Sequence, residues 1–492
     1  MNKKKNFYKI FGEIHDLLEV QQLLEWDQQV VMPVGGANQR ANLVSFIAEI
    51  THNKMTSKEM EETIFNFESV ATSEWDKAHL REAKRTYQKQ KRIPSSLITE
   101  KTKNTVIAQS VWQKTKPKSD FKTFLPYLEK VIEVTKKIAK CGDDKNPYNF
   151  LLDDYEPYMT TEELNPLFQN LKVGLKEFVQ KYSSKDVATE KNTLKRFVSQ
   201  QNQEKISKFF LKEIGFDFNR GRLDVSAHPF TSGTMDDVRL TTRYNENFLS
   251  ASLFSTLHEG GHALYEQGLD KKNFRFPAGQ ACSLGIHESQ SRFWENIIGR
   301  SRGFWECYFE RMNNLSDNSF ANDSLDDFYR AINIVQPSFI RVEADEVTYN
   351  LHIILRYEIE KELINQDLKA KDLVDVWNAK FENLFGIKPS TIAEGVMQDV
   401  HWAVGLIGYF PTYTLGNLYS GMIKETIEKD VGSLNNLVKN KKLKEVLKWL
   451  KEKIYSKGRL YPPRELIIKV TGRKISEKPF LNYLRKKYDS LN

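Results

Sequence analysis

From Lys5 to about Gln90 the apolar residues recur three and four positions apart: Ile10, Ile14, Leu17 and Leu18, then Leu43, Phe46, Ile47 and Ile50. That spacing lines one face of a helix, so the segment is expected to form amphipathic helices. Pro33, Gly35 and Gly36 interrupt it, and Trp26 and Asp27 just before the break are assigned to packing and capping. The helical pattern runs on to about Gln200, broken at Ile93-Pro94 and between Gly142 and Pro147. The period then changes. Val238, Leu240, Thr242 and Tyr244 alternate with Asp237, Arg239, Thr241 and Arg243, which predicts a strand in a small sheet between Gly221 and Tyr244. Helical spacing returns at Asn247 and holds to a stop at Gly268. A further helix is expected from Gly285 through Ile298, and another from Ser338 to Leu355 carrying Arg341, Asp345, Thr348 and His352 as a solvent-facing polar stripe. The predicted class is mainly α, a large helical body with a small β-sheet.

Composition narrows this picture. The chain has 492 residues, 40% hydrophobic and 12% aromatic, ample for a large core. It contains no Pro/Gly/Ser-rich linker, no low-complexity tract and no internal repeat, so one continuous body over 1–492 is expected, with an N-terminal helical part at 1–90 and a chemical core at 220–420. The net charge of +8 is spread over 73 basic and 65 acidic residues and accompanies no nucleic-acid motif, so a nucleic-acid partner is not expected. The basic N-terminus has no apolar run behind it, and no span of about 18 apolar residues could cross a bilayer. The three cysteines, Cys141, Cys282 and Cys307, show no metal spacing, and a reducing cytoplasm is the expected compartment.

The chemistry concentrates in Leu257–Ala263, LHEGGHA. Two histidines four apart on a helix aim their imidazoles at one point, the arrangement that holds a metal, while the intervening glutamate reaches an activated water from the next ridge. His258 and His262 are thus the candidate ligands and Glu259 the candidate base. The structural alternative is a packed helix whose histidines bond to core carbonyls. Two glycines inside a helix cost roughly 1 kcal/mol each, so another element is expected to press on Gly260 and Gly261. A catalytic site needs a third ligand and an open position. Glu288, placed in the first turn of the next helix, is the candidate. His287 is its rival, read more readily as a supporting residue than as a ligand.

Several ordered stretches together resemble the carboxypeptidase Taq family of zinc metallocarboxypeptidases: His228-Pro-Phe230, Asp237-Val-Arg-Leu-Thr241, His258–His262, His287-Glu-Ser-Gln290, Ile340–Asp345 and Gly395–Trp402. The likeness runs from about Trp26 to the Tyr461-Pro-Pro segment and departs from the family near Gln29-Val30. It implies a long central substrate groove, zinc with cobalt as a working substitute, a cytoplasmic homodimer, and removal of C-terminal residues from peptides of broad sequence. It also puts His258, His262 and Glu288 on the family's metal ligands and Glu259 on its catalytic glutamate.

In amide hydrolysis of this kind the metal lowers the pKa of water from 15.7 to about 7, and Glu259 takes the proton and passes it to the leaving amine. Candidate donors to the oxyanion are His228, His401, Tyr409 and Tyr413. A carboxypeptidase also needs a cation for the terminal carboxylate, and an arginine fork binds both oxygens. Arg341 is the first choice and Arg239 the second; the alternative for either is an ion pair with Asp345 or Asp237. Two rival functions stand beside this one, a zinc endo-oligopeptidase using the same site and a non-catalytic peptide-binding protein with structural zinc.

Overall fold

The computed structural model describes residues 2–142, 145–183 and 193–491. Asp143 and Asp144 of the predicted break, and residues 184–192 of the predicted helical run, lie outside them. The chain separates into two compact units, one built from 1–90, 188–333 and 419–475, the other from 91–187, 334–418 and 476–492.

The first unit carries the sheet and the HEGGH helix. Its N-terminal part begins with helices Lys3–Val30, Ala37–Thr56 and Lys58–Glu68. The Pro33–Gly36 break falls where the sequence puts it. Phe7, Ile10 and Ile14 of the first helix pack on Met60, Ile64 and Phe67 of the third, with the Phe7 and Phe67 rings stacked 3.8 Å apart. The apolar face of the second helix stays largely exposed at Leu43, Phe46 and Ile50.

Three strands, β1 (Gly221–Val225), β2 (Thr231–Ser232) and β3 (Val238–Thr242), form the sheet in the order β1-β3-β2. β3 pairs parallel with β1 and antiparallel with β2. The strand read from the alternation is therefore the centre of the sheet.

Helix Leu249–Gln267 follows, with Gly268 as its C-cap. The two glycines do mark close approaches. A Cβ on Gly260 would meet the side chains of Leu211 and Ile214 at 2.8 Å, and one on Gly261 would meet the backbone of Gln290 and Ser291 at 2.5 and 2.6 Å. Helix Gln200–Ile214 thus presses on one side of the HEGGH motif and helix Leu284–Arg292 on the other.

In the second unit, helices Ser95–Thr115, Phe121–Ala139, Thr161–Tyr182, Tyr349–Asn365 and Leu373–Phe385 supply most of the core. The expected helix from Ser338 starts only at Tyr349, after a single 3-10 turn at Arg341–Glu343. Asp345 explains the delay. Its carboxylate accepts from the backbone N–H groups of Gln336, Val347 and Thr348 and from the Thr348 hydroxyl, a turn that competes with helix. The polar stripe does not form either: Arg341, Thr348 and His352 are buried.

Candidate active site

Helix Leu249–Gln267 presents His258 and His262 from successive turns, and helix Leu284–Arg292 brings Glu288 against them. Glu288 stands at the fifth residue of its helix, one residue further in than the sequence suggests, because the helix begins at Leu284, where the Ser283 hydroxyl caps the first turn by accepting from the Ile286 N–H. Glu288 Oε2 lies 3.7 Å from His258 Nε2 and 3.4 Å from His262 Nε2. One donor atom from each of the three falls within 4.8 Å of the others, and this is the one group of His, Cys, Asp and Glu among the described residues spaced to hold a metal ion. Two imidazoles and a carboxylate are a donor set suited to a divalent cation with a position left open.

Each histidine is held from behind. His258 Nδ1 is 2.9 Å from Glu295 Oε2, so with the carboxylate accepting, Nδ1 carries the proton and Nε2 is left with its lone pair. His262 Nδ1 bonds to His287 Nδ1, and His287 Nε2 bonds to Glu266 Oε1 at 2.7 Å. With Glu266 accepting, His287 donates from Nε2 and accepts at Nδ1, which protonates His262 at Nδ1 and frees its Nε2. Both Nε2 atoms therefore face Glu288 as acceptors. His287, the rival ligand, supports His262 instead.

The electrostatics follow from burial and these partners. Burial alone would raise the pKa of Glu288, but the Arg292 guanidinium and then His258 hold it well below the usual carboxylate range. Glu295 is pushed down to about 2 against the same burial, chiefly by Arg292 and His258. Burial and the neighbouring His287 push His262 down to about 3. For His258, Glu288 and Glu295 outweigh burial and the pKa rises. Burial raises Glu259 too, opposed by His258 and by its bond to Thr231. That hydroxyl donates to Glu259 Oε2 at 2.6 Å from β2. His228 sits exposed on the preceding loop, its carbonyl accepting from Ser226.

Six ordered motifs and this donor set point the same way as the comparison with known proteins. Residues 6–488 match the family described as Carboxypeptidase Taq (M32) metallopeptidase. The chain belongs to that family. It is 41% identical to thermostable carboxypeptidase 1 of Thermus thermophilus, over 99% of this chain and 98% of that one. Identity to carboxypeptidase 1 of Bacillus subtilis is 38%, again over 99% and 98%. The M32 carboxypeptidase of Deinococcus radiodurans superposes with a TM-score of 0.95 at 33% identity, covering 100% of this chain and 99% of that one. The protein is a metallocarboxypeptidase, and its substrates are peptides.

The other predicted residues of this metallocarboxypeptidase divide between the units. In the first, Arg239 bonds both oxygens of Asp237 at 2.8 and 2.9 Å and stacks 4.3 Å from the Trp26 ring, so its fork is occupied. In the second, Arg341 pairs with Asp399 rather than Asp345: Nε and Nη2 donate to Asp399, and Nη1 donates to the Tyr349 hydroxyl at 2.8 Å. Arg356 takes the other Asp399 oxygen at 2.6 Å. Two buried guanidiniums thus share one carboxylate, an arrangement with a surplus positive charge. His401 stands beside it, 3.3 Å from the Tyr413 hydroxyl and 5.6 Å from the Tyr409 ring, its pKa pushed down to about 4 by burial despite Asp399.

Sequence reasoning missed Thr231, Glu266, Arg292, Glu295, Asp399 and Arg356. The spacing of Glu288, Arg292 and Glu295 on one helix face was the available signal for two of them. The others act across chain segments, and no local pattern announces them.

Proposed function

We propose that this metallocarboxypeptidase removes C-terminal residues from peptides of broad sequence, with His258, His262 and Glu288 holding one divalent cation and Glu259 as general base. Zinc suits the donor set, and cobalt is the expected working substitute. A bound cation would supply Lewis acidity, lowering the pKa of water and polarising the scissile carbonyl. Glu259 then takes the water's proton at Oε1, while Thr231 holds Oε2, and delivers it to the leaving nitrogen. Burial raises its pKa, which favours its taking up a proton. His228 and Tyr413 are proposed as donors to the developing oxyanion, with His401 and Tyr409 contacting substrate. Arg341, with the surplus charge it shares with Arg356, is preferred for the terminal carboxylate over Arg239, whose fork Asp237 fills. The reading further takes residues 1–492 as a single catalytic domain, cytoplasmic and homodimeric.

The observation that carries this proposal is the convergence of two Nε2 lone pairs and one carboxylate oxygen beside a buried, oriented glutamate. Glu259→Gln tests it. Metal content by elemental analysis should match wild type while hydrolysis falls roughly 10²- to 10⁴-fold. Unchanged hydrolysis would remove Glu259 from the mechanism.

A further inference from the structure

Glu288 has two carboxylate oxygens, and they are treated differently. Oε2 faces the imidazoles of His258 and His262 and also accepts from the Ser291 hydroxyl at 3.1 Å. Oε1 accepts from Arg292 Nε at 2.6 Å. Arg292 does not stop there, since its Nη1 donates to Glu295 Oε2 at 3.2 Å, the same oxygen that His258 Nδ1 contacts. All these groups are largely buried, with side-chain exposures of 12% for Arg292, 7% for Glu288 and 13% for Glu295.

The connection closes a ring of side chains. It runs from Glu288 through Arg292 and Glu295 to His258, whose Nε2 returns toward Glu288. The three residues stand at i, i+4 and i+7, so one stripe of Leu284–Arg292 and the π-helical segment Phe293–Ile298 that continues it faces the HEGGH helix. A π-helical turn is rare and frequently occurs at functional sites.

We propose that Arg292 is the positioning residue of the metal site: it reserves Oε1 of Glu288 so that only Oε2 is offered to the cation, and through Glu295 it fixes that carboxylate relative to His258. The proposal rests on the assignment of His258, His262 and Glu288 as ligands. Its consequence is an open coordination position. A carboxylate free to bind through both oxygens would use the place that water or the scissile carbonyl must occupy. A guanidinium beside a dication site opposes metal loading by charge alone, so its gain must come from geometry.

The test compares wild type with Arg292→Gln and Arg292→Lys, measuring cobalt affinity by chelator competition and the visible absorption of the cobalt-loaded protein. Glu288→Gln serves as the control on the site itself. If Glu288→Gln binds cobalt as wild type does, the ligand assignment has failed, and with it this proposal. If that control weakens binding, Arg292→Gln should bind roughly 10- to 100-fold more weakly, as removal of an outer partner typically does. Its cobalt bands should also lose intensity as Glu288 turns to bind through both oxygens and the coordination number rises. Arg292→Lys keeps the charge without the two-armed fork and should show the same changes. Affinity equal to or tighter than wild type in Arg292→Gln, with an unaltered spectrum, would show that Arg292 acts only as a charge and overturn the proposal. Should Arg292→Gln fail to fold, Arg292→Lys decides: wild-type affinity and spectrum there would overturn it equally.

Discussion

At the scale of single residues, the site depends as much on what is absent as on its donors. Gly261 lies against backbone, not side chain, so the Cβ of Gly261→Ala cannot be accommodated by a rotamer change. The two helices must separate, at a cost of about 1–3 kcal/mol for overpacking, and Glu288 moves away from the histidines. Thermal unfolding and metal titration should both record the loss. Gly35→Ala, with nothing within 4 Å of the added carbon, should leave metal binding as in wild type. Thr231→Val removes the donor to Glu259 Oε2 while leaving the ligands untouched. A hydrogen bond to a charged group contributes about 1.5–3 kcal/mol, so kcat should fall roughly 10- to 100-fold with metal content unchanged. An unaffected kcat would mean that Glu259 needs no such orientation. His258, Glu259 and His262 were legible in the sequence because helix geometry alone puts the histidines on one face. The glycines announced a close approach but not its partner. Arg292 and Glu295 were readable only as helix-face neighbours of Glu288, whereas the bonds of Thr231 to Glu259 and of Glu295 to His258 cross elements, which a linear pattern does not encode.

At the scale of elements, the alternation at Val238–Thr242 and the periodicity of Leu249–Gln267 were both readable, since each buries a face against a neighbour. The segment before Tyr349 was not. Its apolar and charged residues fit helical spacing, and only the Asp345 turn overrides it. Glu360 shows a similar long-range dependence. From helix Tyr349–Asn365 its buried carboxyl accepts from the Tyr148 hydroxyl, Trp402 Nε1 and the Gly408 N–H, thereby fixing the segment that carries His401. Burial pushes its pKa up from 4.5 to about 7 despite those bonds and the charge of Arg356. Between these values the folded state binds more protons than the unfolded one, so this group makes stability fall as pH rises from 4.5 toward 7. The loss is about 3 kcal/mol at full ionisation. Glu360→Gln should remove that slope, gaining on wild type as pH rises. Denaturant unfolding at pH 5 and pH 8 checks it: a difference between the two proteins that is the same at both pH values would mean Glu360 ionises normally in the fold.

At the scale of the whole molecule, the mainly helical class with a small sheet was legible because helical spacing dominates the chain and one short region alternates. The net charge of +8 is dispersed into local pairs such as Lys172 with Glu358 and the buried Lys487 with Glu346, which ties the last helix to the 334–348 region. No helix among the described residues is long and apolar enough to cross a membrane. The division into two compact units was not legible, because each unit draws on three separated stretches of chain with no linker composition at the crossings. The central claim concerns where a peptide is cut, and product analysis tests it most directly. One unstructured peptide, with a free or an amidated C-terminus, is incubated with zinc-loaded wild type and Glu259→Gln and followed by mass spectrometry. Stepwise loss of C-terminal residues from the free peptide only, abolished by the substitution, is the expected result; internal cuts in both peptides would contradict it and make the enzyme an endopeptidase.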